Sequence, residues 1–97
     1  GYDPLSAKTV ALDAKKVAIM PNPANDLVNL KLELDGINKS VAVRMLDWTG
    51  RVVSLETRRN IQNETFTFDT ANLPSGVYMM WISTEEGTAV KKVAVCH

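Results

Sequence analysis

Few residues in this sequence could take part in catalysis, and none of them has a partner nearby. His97 is the only histidine and Cys96 the only cysteine, and they end the chain. A thiol nucleophile needs a base beside it, and a metal site needs several ligands, so neither residue predicts catalysis or metal binding. We expect His97 to be a frayed end and Cys96 to be a spare thiol. The adjacent acids Glu85 and Glu86 lie in a short EEG loop, which predicts a solvated hairpin tip rather than a catalytic pair.

The composition excludes several further classes of function. The 97 residues carry 11 basic and 11 acidic side chains, so the formal net charge is zero. Neutralising phosphates requires a basic surface, and the basic pairs in this chain lie far apart, which disfavours nucleic-acid binding. No apolar run reaches the ~20 residues of a membrane-spanning helix. The sequence therefore predicts a domain that is not an enzyme and that binds no cofactor and no metal.

Apolar and polar residues alternate through most of the chain after residue 15, which is typical of β-strands. The alternating segments, separated by turn clusters that include DGIN and NIQN, are KVAIM, LVNLKLEL, SVAVRMLD, RVVSLET, ETFTF, VYMMWIST and TAVKKVAV. Seven short strands without a helical period predict an all-β fold, an immunoglobulin-like seven-stranded antiparallel β-sandwich. We expect its interior to contain Leu30, Leu32, Val43, Phe66, Tyr78 and Ile82.

Residues 1–15 show neither a helical nor a strand period. We interpret them as a linker or loosely docked arm that precedes a single domain at residues 16–97. The chain does not begin with methionine, so we expect it to be a piece of a larger protein.

Three local motifs predict how the strands are joined. In MPNPAND, Pro21 and Pro23 supply no ladder hydrogen bond and Asn22 can bond forward to the backbone, so the segment should form a stiff corner after the first strand. DWTG predicts a tight hairpin loop with Gly50 in the left-handed conformation. Tyr78 follows the DTANLPSG connection, where a tyrosine often donates a hydrogen bond back to the preceding loop.

The two tryptophans leave alternatives open. We favour an interpretation in which Trp48 folds over its own hairpin, although it could instead be an exposed binding residue. Trp81 lies on the opposite face of its strand from Tyr78, Met80 and Ile82. Either both faces of that sheet are covered, which we favour, or Trp81 is exposed and marks a contact patch.

Four segments in this order resemble the C-terminal sorting domains of the bacterial type IX secretion system. MPNPAND resembles the opening of such domains, and VRMLDWTGRVV is similar to their central hairpin. FDTANLPSGVYMMWI is similar to their most characteristic block, in which four residues match: Leu73, Gly76, Val77 and Tyr78. GTAVKKVAV resembles their terminal strand, with Lys92 before an aliphatic run. The resemblance covers about residues 17–95, whereas the VCH ending departs from the lysine or similar polar residue with which the family commonly ends.

The resemblance implies a role in protein export from Gram-negative bacteria. Such a domain ends a cargo protein, which passes through the periplasm and then crosses the outer membrane when the translocon recognises the domain. A surface sortase usually removes the domain, and the cargo is then attached to the cell surface or released. The implied partners are the translocon and sortase proteins and an upstream cargo domain in the same precursor. The residues implied in the family motif or in recognition are Pro21, Asn22, Pro23, Gly50, Leu73, Gly76, Tyr78, Lys91, Lys92, Val93 and Val95.

The last strand is the segment that we expect the translocon to recognise. A terminal strand is commonly a sheet edge, to which a partner can add a strand. Lys91 and Lys92 must point to opposite faces, so at least one charge should be presented outward, while Val93 and Val95 should contribute to the core. The same edge could support a dimer. We expect the sortase to cut within residues 1–15.

A second function is compatible with the same fold, because β-sandwiches host many functions. The domain could be an accessory carbohydrate-binding or adhesion module of a secreted protein. A carbohydrate binder should carry several aromatic residues on one face. This chain has six aromatic residues, of which we assign Phe66, Phe68 and Tyr78 to the core. We therefore favour the sorting function.

Overall fold

The computed structural model describes residues 11–21 and 24–97 and shows two antiparallel sheets packed as a sandwich. This confirms the predicted seven-stranded, immunoglobulin-like β-sandwich. After a 3₁₀ turn at Ala14–Lys16, the strands of the described chain are β1 (Val17–Met20), β2 (Leu27–Asn38), β3 (Val41–Leu46), β4 (Val52–Arg58), β5 (Ile61–Asp69), β6 (Gly76–Thr84) and β7 (Gly87–Val95).

The two sheets differ in the number of their strands. The smaller sheet has the order β1-β2-β5, and the larger has the order β4-β3-β6-β7. β7 therefore lies at an edge of the larger sheet, as predicted, and pairs with β6 alone among the strands. Because β3 pairs with β6, the hairpin between β3 and β4 is brought close to the chain that enters β6.

The core forms where the alternating apolar residues of both sheets face each other. Every residue predicted to lie inside is buried: Leu30, Leu32, Val43, Phe66 and Ile82 have no exposed surface and Tyr78 is 5% exposed. Fully burying one such aliphatic side chain contributes about 1.5–3 kcal/mol. The period-two pattern thus accounts for both the strands and the interior.

Two predicted turns lie elsewhere in the structure. DGIN lies inside β2, which continues to Asn38 across a register shift, and NIQN lies mostly inside β5, which begins at Ile61. The turn between β4 and β5 instead falls at Arg59–Asn60, with Asn60 in the left-handed conformation at φ 54°. Long-range contacts keep the end of β2 extended, because the Asn38 amide donates a hydrogen bond to Glu86 on the β6–β7 hairpin.

The predicted linker lies mostly outside the described residues, which begin at residue 11. Within its described part, Leu12 is only 6% exposed and belongs to the core cluster. The boundary between residues 15 and 16 stays a prediction.

Candidate recognition site

Residues from three of the motif segments meet at one end of the sandwich. β6 and β7 pair so that Tyr78 lies opposite Val93 and Gly76 lies opposite Val95. Ala24, which follows the proline corner, forms a parallel bridge with Val95 on the other side of β7. The fold therefore brings together segments that are more than 70 residues apart in sequence.

The proline corner is only partly described. β1 ends at Met20, directly before Pro21, as predicted, and the Met20–Pro21 peptide bond is cis. Asn22 and Pro23 lie outside the described residues, so their part in the corner stays a prediction. Ala24 is fixed to the end of the chain by two backbone hydrogen bonds. The Ala24 N–H donates to the Ala94 carbonyl at 2.7 Å, and the Ala24 carbonyl accepts from the Cys96 N–H at 2.8 Å.

Tyr78 forms the predicted corner. Its hydroxyl donates a hydrogen bond of 2.6 Å to the carbonyl of Pro74, four residues earlier, while its ring lies in the core. Leu73 packs partly buried against the same core, and its N–H donates to the Thr70 carbonyl at 3.1 Å. The LPSGVY segment is thus held from both ends.

The β3–β4 hairpin confirms the prediction for Gly50, which adopts the left-handed conformation at φ 88°. Its N–H donates to the Asp47 carbonyl at 3.0 Å. The Asp47 carboxylate accepts from the N–H groups of Thr49 at 2.9 Å and Arg51 at 3.0 Å. The Thr49 hydroxyl donates a further hydrogen bond to the same carboxylate. This bond contributes most, and together with the backbone bonds it lowers the pKa of Asp47 and favours its charged form, which closes the loop.

A cavity of about 190 Å³ lies between this hairpin and the chain that enters β6. Asp47, Trp48 and Arg51 line it on the hairpin side, and residues 73–78 line the other side. The cavity therefore separates two of the motif segments. A methyl group added to Gly76 would meet no atom within 4 Å, so packing alone does not require a glycine at this position.

Both favoured interpretations of the tryptophans are wrong. Trp48 is 86% exposed at the hairpin tip, since a loop closed by the Asp47 hydrogen bonds holds it out in the solvent instead of folding it over the strands. Trp81 is 46% exposed, because the face of the larger sheet on which it lies is turned away from the core. The second interpretation of Trp81, in which it is exposed and marks a contact patch, therefore fits the structure.

The edge of β7 is occupied at both ends, and no described residue pairs with the backbone between them. The carbonyls of Thr88 and Ala94 point away from β6 and accept hydrogen bonds from the N–H groups of Leu12 and Ala24, both at 2.7 Å. In an antiparallel strand the N–H and C=O of one residue point to the same side and alternate along the strand. The backbone groups of Val90 and Lys92 therefore face outward as well, and within residues 11–21 and 24–97 nothing pairs with them. We call these two residues the edge window.

The side chains of the last strand alternate as predicted. Val93 has no exposed surface and Val95 is 2% exposed, so both belong to the core. Lys92 is exposed and points away from the core, next to the edge window, and Lys91 on the opposite face is partly buried. The strand therefore presents the exposed cation of Lys92 beside the edge window.

The expectation that His97 is a frayed end is wrong. Its N–H donates to the Ser75 hydroxyl at 3.1 Å, and its ring Nε2 lies 2.7 Å from the Leu73 carbonyl oxygen. The ring Nδ1 lies 3.0 Å from the Asn25 side-chain oxygen. Ser75 and Leu73 belong to the loop before β6, and Asn25 lies just before β2. Because these partners are distant in sequence, no local pattern could reveal them. Cys96 is a free, exposed thiol, as predicted.

Glu86 has a structural role that the sequence did not predict. Its carboxylate accepts from the N–H groups of Asp35 at 2.9 Å and Gly36 at 3.0 Å, and from the Asn38 amide at 2.7 Å. These bonds, led by the one from Asp35, lower the pKa of Glu86 to about 2. The acid is fixed by groups about 50 residues away, so no local pattern could reveal it. The EEG loop is therefore more than a solvated tip, and we call this set of contacts the Glu86 clasp.

The residues that the structure describes hold no group of three or more His, Cys, Asp or Glu side chains that could bind a metal ion. In the same part of the chain, no helix is long and apolar enough to span a membrane.

Comparisons with known proteins agree with the motif pattern. Residues 18–96 match the model of the secretion system C-terminal sorting domain. No curated protein sequence matches the chain. Among solved structures, the chain is similar to dimeric latent PorU from Porphyromonas gingivalis, with a TM-score of 0.64 and 20% identity over 81% of this chain. It spans only 9% of that protein, and this likeness shows the shared fold. Because the family match covers most of the chain and all four motif segments, the protein belongs to the family of C-terminal sorting domains of the type IX secretion system.

Proposed function

We propose that this domain directs an upstream cargo protein through the outer-membrane translocon of a type IX secretion system, and that the translocon recognises the edge window of β7. Family membership supports the sorting function. The observation that carries the finer proposal is that the edge window lies on the same strand as the motif residues Val93 and Val95, which pair with Tyr78 and Gly76, and that no described residue pairs with it.

The edge window offers the chemistry of strand addition. Val90 and Lys92 each turn one N–H donor and one C=O acceptor outward, and no described residue pairs with these groups, so an extended segment of the translocon could pair with both residues. Lys92 places a positive charge beside these groups, which would guide an acidic partner and oppose non-specific edge-to-edge aggregation. Recognition would then depend mainly on backbone hydrogen bonding, with a smaller contribution from the charge of Lys92.

A proline at position 90 tests the edge window directly. Val90→Pro removes an outward N–H and leaves the hydrogen bonds between β6 and β7 in place, because those are made by the neighbouring residues. We expect cargo carrying Val90→Pro to accumulate in the periplasm, measured by cell fractionation. Val90→Ala keeps the N–H and should be exported far better. Normal export of a Val90→Pro domain whose thermal unfolding matches the parent would refute recognition through this edge.

The charge is tested by a second pair of variants. We expect Lys92→Glu to reduce export, whereas Arg59→Glu makes the same charge change at an exposed turn away from β7. If the two variants are exported equally, Lys92 does not guide docking. Deletion of residues 92–97 should also block export, but it removes the buried Val93 and Val95, so unfolding must be measured alongside.

We also propose that a sortase cuts within residues 1–15 and so delivers the cargo to the cell surface or the medium. The support is the absence of a strand period in that stretch, because proteases need extended, accessible backbone. Leu12 is buried and bonded to Thr88, so the cut should avoid that residue. Mass spectrometry of exported cargo would give its new C terminus. A cut after residue 23, inside the sandwich, would contradict the proposal.

The alternative function, an accessory carbohydrate-binding or adhesion module, is disfavoured by the family match. A dimer through the terminal strand stays a prediction, since a second copy could also pair with the edge window. Sedimentation analysis of Val90→Pro beside the parent domain would test it.

A further inference from the structure

The larger sheet has an apolar outer face that the sorting function does not explain. On β3, β4, β6 and β7 the residues that alternate with the buried ones turn their side chains away from the core. We call this set the outer face, and the strand registers arrange it in cross-strand rows. One row is Leu55–Arg44–Trp81–Val90, the next is Val52–Leu46–Met79–Lys92, and Val77 lies opposite Ala94 beyond them.

These rows expose large apolar side chains side by side. Leu55 is 53% exposed, Trp81 46% and Val90 49%, and in the adjoining rows Val52 is 47% and Val77 52% exposed. Single exposed apolar residues are normal on protein surfaces, but a contiguous set across four strands marks a contact site. The composition also fits, since aromatic residues and arginine are enriched where binding energy concentrates.

The charges on this face are all of one sign. Arg44 lies in the middle of its row, between Leu55 and Trp81, and Lys92 lies at the end of the next row. The outer face contains no aspartate or glutamate. Other cations of the described chain, such as Lys16, Arg51 and Arg58, have carboxylate partners, whereas no carboxylate in residues 11–21 and 24–97 lies within ion-pair distance of Arg44.

The position of Arg44 decides what can cover the face. A membrane surface would press this central guanidinium towards the hydrocarbon region, whereas membrane-binding faces carry their cations on the polar side. A second copy in a face-to-face dimer would bring more positive charge and no carboxylate. A protein surface can place a carboxylate opposite Arg44, where a paired, charge-assisted hydrogen bond replaces the lost water.

We propose that the outer face docks a second protein surface, one that presents an aspartate or glutamate to Arg44 and surrounds it with apolar side chains. Trp81 and Leu55 flank that ion pair and exclude water from it. The partner is a separate protein, so an adduct within the precursor itself would also overturn the proposal. The site is distinct from the backbone of the edge window and does not depend on the sorting function.

Site-specific photo-cross-linking in cells that make the full precursor tests this site. The probe is p-benzoylphenylalanine in place of Trp81, an aromatic residue for an aromatic residue, with the same probe in place of Trp48 as the matched control. We expect irradiation to join position 81 to a protein surface that contains an acidic residue. Arg44→Glu should reduce this adduct by more than about tenfold, because a reversed charge at a desolvated pair is strongly unfavourable. Arg51→Glu on the hairpin should leave it unchanged, and replacing the partner's acid by lysine should restore it with Arg44→Glu.

Other results would overturn the proposal. These are no adduct at position 81, an adduct that survives Arg44→Glu, an adduct with a second copy of this chain, and an adduct with lipid. Each variant must show the thermal unfolding of the parent, and a second probe at Leu55 should give the same partner. Export is measured separately by fractionation, so failure of the sorting function would leave the adduct in place.

Discussion

At the residue scale, the Glu86 clasp shows how a single carboxylate can hold the β6–β7 hairpin against the end of β2. Four groups converge on the Glu86 carboxylate. They are the backbone N–H groups of Asp35 and Gly36, the Asn38 side-chain amide, and the Lys16 ammonium at 3.6 Å. The side chain stays partly accessible, so its effect depends on hydrogen-bond number rather than on deep burial. The clasp lies at the β6–β7 hairpin, away from the motif residues near Val95.

The clasp predicts a defined acid sensitivity. The pKa of Glu86 is lowered from its ordinary value of 4.5 to about 2 in the folded protein, so the unfolded state binds a proton first as the pH falls. The stabilisation is therefore fully present above about pH 4.5 and is lost as the pH falls towards 2. Urea unfolding from pH 6 to pH 2 should show this decline, and Glu86→Gln should be less stable at pH 6 with a flatter profile. Glu33→Gln, at an exposed position, should keep the parent's profile, and equal slopes for all three proteins would contradict the assignment.

The Tyr78 hydroxyl is tested by a second substitution. Tyr78→Phe keeps the buried ring and removes the hydroxyl that donates to Pro74, so unfolding free energy should fall by about 0.5–1.5 kcal/mol. Chemical denaturation measures this. A variant as stable as the parent would mean that water replaces the bond without loss.

At the scale of elements, β7 combines two surfaces that contribute differently to stability. Val93 faces the core and Val90 faces outward, three residues away on the same strand. We expect Val93→Ala to cost about 1.5–3 kcal/mol and Val90→Ala to stay within about 0.5 kcal/mol. Urea denaturation of the matched pair would show the difference, and equal losses would mean that β7 is not seated as described.

The strands were predictable because the alternation of apolar and polar residues is a local pattern. Their ends and their pairing partners were not predictable, because these depend on residues distant in sequence. Alternation placed Leu30, Phe66 and Ile82 correctly inside, since a half-buried strand must repeat every two residues. The turn cluster DGIN was misassigned because the contacts that keep it extended come from Glu86. For the same reason the sequence could not show that Leu12 and Ala24 occupy the two ends of the β7 edge, or that His97 contacts Ser75.

At the scale of the whole molecule, the beginning and the end of the described chain are tied together. Leu12 is buried in the core and its N–H bonds to Thr88 on the last strand. We expect Leu12→Ala to lower the unfolding free energy by about 2–5 kcal/mol, because a buried leucine leaves a cavity. Thermal and urea unfolding test this, with Leu27→Ala, at a 43% exposed position, as the control. Equal effects of the two variants would show that Leu12 is not part of the core.

The long strand β2 sets a physical dimension with consequences for transport. Its 12 residues span about 40 Å when extended, which equals the longest extent of the domain, 41 × 34 × 20 Å. The strand cannot shorten without losing its pairs with both β1 and β5, so the folded domain does not compress along the direction of β2. A rigid opening that admits the domain lengthwise must therefore measure at least 34 × 20 Å. A narrower channel would have to pull the sheets apart, and transport through it would then slow down as the sandwich is made more stable.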